Sequence, residues 1–141
     1  MAKQVLTNVA VTFGTANTDI TSYVASVTLN LSKAEVATTS FGSSGAVTRI
    51  AGLADNSITL ELHQDYPTIE KLFFDAFTAG TAVPMTVKPN GTAAASSTNP
   101  QYAFSVLPTA HTPINGAIGD LATMSISFPI SGAITKTGSG A

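Results

Sequence analysis

His63, Asp65 and His111 are the residues whose types could do chemistry near neutral pH. The first two form an H-x-D pair, and His111 is the only other histidine. If the three met, they could bind zinc or serve a hydrolase. Their spacing does not require a meeting, and Asp65 is better explained as the N-cap of the segment that follows it. The stretch "GSSGAVT" (42–48) has the glycines of a phosphate loop but lacks the lysine and the following helix that such a loop needs. There is no G-x-S-x-G elbow, so the many serines read as surface hydroxyls. Glu61 falls on the polar side of an alternating segment and reads as a solvated carboxylate rather than an acid/base partner. The chain has no cysteine, which excludes disulfides and thiolate metal sites. The expectation from these residues is a protein that is not an enzyme, with no metal and no cofactor.

The elements that would position such groups are built from an unusual composition. Charged residues make up 10% of the 141 positions, against about 25% in a typical soluble domain. The formal net charge is −2 with no charge runs, so the basic footprint of a nucleic-acid binder is absent. Serine and threonine together supply about a quarter of the chain, well above their usual share. A surface of hydroxyls and alanines is weakly repelled from its own kind, which favours self-association. The start "MAKQVLTNVAVTFG" has no run long enough for a signal peptide, and no stretch approaches a membrane span. The chain is therefore expected to be soluble and made in the cytosol. On that ground the glycosylation sequons at Asn30 ("NLS") and Asn90 ("NGT") carry no weight.

The length predicts one domain, 1–141, with flexible arms at 1–4 and 136–141. Val5, Val9, Val11 and Phe13 mark a first strand, and "TANTDITSY" is turn-rich, with Asn17 and Asp19 able to bond their own backbone. Segments 26–32 and 57–63 alternate, with Val27, Leu29, Leu31, Ile58, Leu60 and Leu62 on inward faces. Between them, 33–55 reads as a long inter-strand loop with a weak β-signal near Val47 and Ile50. A helix is predicted over 66–79. Asp65 caps it, Pro67 sits in its first turn, Ile69, Leu72, Phe73, Ala76 and Phe77 form its stripe, and Gly80 stops it. "AVPMTVKP" is a short strand that Pro84 assigns to an edge, and 90–100 is a flexible connection. Tyr102, Phe104 and Val106 share one strand face, and Met124, Ile126 and Phe128 another, with a loop at 114–120 between them. The sum is a mainly β fold, a two-sheet β-sandwich or flattened barrel with one flanking helix. Arg49, the only arginine, is either a solvated loop charge or an inter-subunit contact, with Glu35 or Asp55 as candidate partners.

Five features occur together: "T-T-x-F-G" at 38–42, the later Arg49, "G-L-x-D-x-S-I-x-L-E" at 52–61, "N-P-x-Y" at 99–102 and "G-x-L-A-T-x-S-x-x-F-P-I-S-G-x-I" at 119–134. In that layout, spanning about 19–135, the chain resembles the small major tail proteins, or tail tube proteins, of long-tailed bacteriophages. The resemblance implies a virion structural protein. Six copies would form a ring in which one sheet from each joins a continuous inner barrel. Rings would stack into a tube around the tape-measure protein, closed off by tail terminator and tip proteins, and DNA would later pass through without tight binding. The family's long loop reaches the adjoining ring. Here 33–55 takes that place, with Glu35, Thr38, Thr39, Phe41, Gly42 and Arg49 as its contact residues. The polar strand faces carry no lysine or arginine, which suits a lumen that must not grip phosphate. Thr28, Asn30, Thr59 and Glu61 are therefore expected to face that lumen. Two other readings stand beside this one: a capsid decoration or head–tail joining protein, and a small ligand-binding β-module. The second would call for an exposed aromatic platform or a metal site, and the chain has no tryptophan.

Overall fold

The computed structural model describes residues 5–137. Among the described residues there are nine strands: β1 (Ala10–Phe13), β2 (Thr18–Asp19), β3 (Val24–Asn30), β4 (Lys33–Ala37), β5 (Arg49–Ala54), β6 (Ser57–His63), β7 (Val83–Lys88), β8 (Gln101–Val106) and β9 (Thr123–Thr137). Seven of them form one curled antiparallel sheet in the order β2-β1-β7-β8-β9-β6-β3, while β4 and β5 pair only with each other. The fold is mainly β, a flattened barrel or sandwich with one flanking helix, as the alternating segments predict.

Curling depends on β9. Its first half pairs with β6, from Ser57↔Pro129 to His63↔Thr123, and its second half pairs with β8. The β8 register slips between Ala103 and Ser105, next to Gly132, whose φ of +90° only glycine adopts readily. That bend lets one strand serve both halves of the sheet. The inner faces then meet in a single core: Val11, Phe13, Met85, Val87, Phe104 and Val106 from one half, and Ile58, Leu60, Leu62, Met124, Ile126 and Phe128 from the other. Period-2 alternation of apolar residues dictates this burial.

The helix lies over this core. Ile69 and Phe73 are fully buried, and Leu72 and Ala76 pack against the cluster. Phe73 stands 4.4 Å from Phe13 and 6.1 Å from Phe128, ring centroid to centroid. Phe77, expected in the stripe, is about half exposed. The first turn, Tyr66–Glu70, is a π-turn, and the α-helix α1 runs Lys71–Ala79 to a left-handed Gly80. Asp65 holds the N-cap position through its backbone carbonyl, which accepts from Thr68, Ile69 and Glu70 N–H, and not through its side chain. Its carboxylate lies instead beside the Tyr23 hydroxyl and holds that phenol above its ordinary range.

Other expectations are corrected by the ladders. The first strand is confined to β1, because the ladder with β7 runs only to Ala10↔Lys88 and the next residue, Pro89, has no N–H to extend it. β7 is an interior strand and not an edge. Pro84 is tolerated because β1 ends opposite Met85, and the Pro84 carbonyl still accepts from Gly14 N–H at 2.8 Å. Leu31 lies past the end of β3 and is exposed. Residues 90–100 are tied down and not slack: the buried Asn99 amide accepts from Asn90 N–H at 2.9 Å and donates to the carbonyls of Asn90, Ala93 and Ala94. Of the expected arms, Lys136 and Thr137 are paired in β9 with Tyr102 and Gln101, and the remainder lies outside the described residues.

Candidate assembly surfaces

Residues 33–55 lie between β3 and β6 and fold as a β-hairpin. β4 and β5 pair antiparallel through Ala37↔Arg49, Val36↔Ile50 and Glu35↔Ala51. Opposite residues share a face, so Glu35, Ala37, Arg49 and Ala51 lie on one side and Val36 and Ile50 on the other. The Arg49 guanidinium pairs with the Glu35 carboxylate diagonally across the first face. Of the two partners foreseen for Arg49, the single chain supplies Glu35. The second face, Val36 and Ile50, is left open to solvent.

The hydroxyls at the tip satisfy its backbone. Thr38 N–H donates to the Thr48 carbonyl at 2.8 Å, and the two hydroxyls meet at 2.9 Å. Thr48 N–H donates to Thr39 Oγ1, and Ser40 N–H to Ser43 Oγ. Ser40 and Ser43 form a reciprocal capping box around the 3-10 turn Phe41–Ser43. A composition that reads as slack is therefore a ladder of side-chain hydrogen bonds. Gly42 lies within that turn, and Phe41 projects from it with its ring fully in solvent, 107% relative exposure.

At the hairpin base, Asn56 is buried. Its Oδ1 accepts from Ser32 N–H at 3.0 Å, and its own carbonyl accepts from Ile130 N–H of β9 at 2.9 Å. Asp55 N–H donates to the Ser32 carbonyl at 2.7 Å. One residue thus joins the hairpin to the sheet, its side chain holding Ser32 and its backbone carbonyl holding β9. The sequence reading passed over it, although an asparagine directly before an alternating strand was a signal.

Thr28, Asn30, Thr59 and Glu61 share the outer face of β3-β6-β9. In register, Thr28 stands opposite Thr59 and Thr59 opposite Ser127, with Thr59 Oγ1 donating to Ser127 Oγ at 3.3 Å. Ser26, Glu61 and Ser125 form the next row, and Asn30, Ser57 and Pro129 the one on the other side. Glu61 is the only charge in these rows. The outer edge of β3 has no neighbour in the sheet order.

His63, Asp65 and His111 do not converge. His111 lies between the rings of Phe74 and Phe77, at 5.9 and 6.4 Å, with Nε2 3.6 Å from Glu70 Oε1. That packing seats residues 107–122 on α1. Among the described residues no three His, Asp or Glu side chains could hold one metal ion. Asp19 accepts from both the N–H and the hydroxyl of Thr21, which hold its carboxyl below its ordinary value.

No protein family matches the sequence, and no curated protein matches it. Solved structures do match the fold. A chain from the virion of a native gene transfer agent (GTA) particle is similar at TM-score 0.77 and 14% identity, over 96% of this chain and 99% of that one. A chain from the tail of an empty GTA particle, with C6 symmetry, is similar at TM-score 0.64 and 16% identity, over 82% of each. A third, from the six-fold symmetrised baseplate of the anti-feeding prophage, is similar at TM-score 0.62 and 9% identity, over the whole of both chains. At these identities the likeness is one of fold.

Proposed function

We propose that this chain is a structural subunit of a phage-like tail, and within it the tail tube protein: six copies form a ring, and rings stack into a hollow tube. The carrying observation is the fold's likeness, over nearly the whole chain, to chains of tail-bearing particles, one of them with C6 symmetry. The exposed surfaces are consistent with it. In a ring the open edge of β3 would pair with a neighbouring copy, which removes the hazard of an unpaired edge. The hairpin, with Phe41 at its tip and Val36 and Ile50 on one face, would be covered by the adjoining ring. The outer face of β3-β6-β9 would line the channel. Hydroxyls and a single carboxylate there give passing DNA no cations to bind, and the tape-measure protein nothing to adhere to. The role is one of assembly, without a catalytic step, and places the chain in the virion.

The test is electron microscopy of the purified protein, with rings and long hollow tubes expected. Deleting residues 40–48 should leave a folded monomer that no longer polymerises. A deletion variant that unfolds would assign the segment to the core. A second reading draws on the baseplate likeness, which covers all of both chains: a ring at one end of the tube. Isolated rings that never stack would favour it.

A further inference from the structure

Two exposed apolar surfaces lie at opposite ends of β3-β6-β9. The hairpin joins Asn30 to Ser57, at one end of β6. Residues 107–122 enter β9 at Thr123, which pairs with His63 at the other end. The seven residues of β6 separate the two by about 20 Å. The second surface is held rigidly by its polar groups. Gln64 Nε2 donates to the Pro113 carbonyl at 3.0 Å, Thr123 N–H to the Asn115 carbonyl at 3.2 Å, and Gln64 N–H to the Ala122 carbonyl at 3.0 Å. With the backbone used inward, the apolar side chains point out: Ile114, Ile118 and Leu121 are 82%, 106% and 64% exposed. A loop that turns three large aliphatic side chains to solvent while its backbone is tied to the body is built to be covered.

We infer that Ile114, Ile118 and Leu121 are the seat for the hairpin tip of a second copy, with Phe41 as the inserted side chain. This rests on the stacked-ring reading above and specifies its contact. Three observations select a copy of this chain as the occupant. The tip and the seat are different surfaces at opposite ends, and head-to-tail pairing of unlike surfaces propagates into a filament. The tip (38–48) contains no charge and the seat (112–122) contains one, Asp120, so closing them brings a single carboxylate to the contact. That carboxylate is opposite in sign to Arg49, which directly follows the tip in sequence. Phe41 is an aromatic anchor of the kind that dominates such contacts.

The chain has no cysteine, so engineered thiols report cleanly. F41C and I118C, made as separate variants and mixed under oxidising conditions, should give a disulfide-linked dimer, and the F41C/I118C double variant a covalent ladder. Neither variant alone should cross-link. Ile118→Asp, at a fully exposed position, should keep its far-UV circular dichroism and its rings but lose tubes. Wild-type-length tubes from I118D, or tubes of the mixed variants without the mixed dimer, would overturn the seat and leave the tube reading standing. F41C dimers forming by themselves would overturn it too, since they report tip on tip. A wild-type chain that makes neither rings nor tubes at high concentration would remove the tube reading, and the seat with it.

Discussion

Phe73 and Phe41 are the same side chain put to opposite uses. Phe73 is buried between Phe13 and Phe128, under a helix packed on a curled sheet. Phe41 stands on a capped turn at the tip of a hairpin whose strands bury none of their side chains. The body of the molecule is held by apolar area removed from water, whereas the hairpin is held by hydrogen bonds among its own threonines and serines and by one asparagine at its base. The difference teaches where each region's stability resides: the body carries its own, while the hairpin keeps its shape and leaves its apolar groups for another surface.

The largest test of that contrast is a pair of truncations. Phe73→Ala should cost about 3–5 kcal/mol of folding stability, read from urea unfolding, because it empties a fully buried site. Phe41→Ala should change monomer stability by less than about 0.5 kcal/mol, with its loss appearing in polymer yield by sedimentation. Equal costs for the two would erase the distinction between body and hairpin.

The body was legible in the sequence because its strands obey a strict alternation. Ile58, Leu60 and Leu62, and Met124, Ile126 and Phe128, are buried where period 2 puts them. The helix stripe was legible for Ile69 and Phe73 and failed at Phe77, which stacks on His111 and is about half exposed. The hairpin was illegible as a hairpin. Its strands bury nothing, its apolar face has only Val36 and Ile50 as large side chains beside Ala34 and Gly52, and its tip is ordered by hydroxyl pairs such as Thr38 with Thr48, which composition registers as slack. Asn56 and Asn99 were missed for a related reason: a buried amide that satisfies backbone groups outside its own turn looks, in sequence, like any turn residue.

Those two asparagines give the next test. Asn99→Ala leaves the Asn90 N–H and three carbonyls without their partner and should cost about 1–3 kcal/mol. Asn56→Ala should cost a similar amount. It should also speed amide exchange across β4 and β5 while β6 and β9 stay protected, because it unlocks the hairpin base and spares the core. Uniform loss of protection would mean that hairpin and body unfold as one unit.

Acid should sharpen the contrast more gently. Thr21 holds the Asp19 carboxyl below its ordinary value of 3.8, so the unfolded chain takes up that proton first as pH falls. The contribution is whole above the unfolded value and is lost as pH falls through the lower, folded one. The stability gap between wild type and Asp19→Asn should therefore be wider at neutral pH than at about pH 3. Asp19 sits in the body, so tip exchange rates should not follow this titration.

The smallest expected effect on the monomer is the most informative about assembly. Glu35 and Arg49 pair on an exposed face, and an exposed ion pair contributes about 0–1 kcal/mol. Arg49→Ala should hardly move the unfolding midpoint. Its effect on the critical concentration for polymerisation depends on what Arg49 does in the assembled state, and a double-mutant cycle with Glu35→Gln separates the cases. If Arg49 serves only Glu35, the double variant and R49A polymerise alike, since neither retains the pair. If Arg49 leaves Glu35 for a carboxylate on the neighbouring copy, E35Q frees it and lowers the critical concentration, whereas R49A raises it with or without Glu35. The seat on the next copy carries Asp120 beside Leu121, so Asp120→Asn should reproduce the R49A defect and add nothing to it in the double variant. Full additivity between the two would separate Arg49 from that seat.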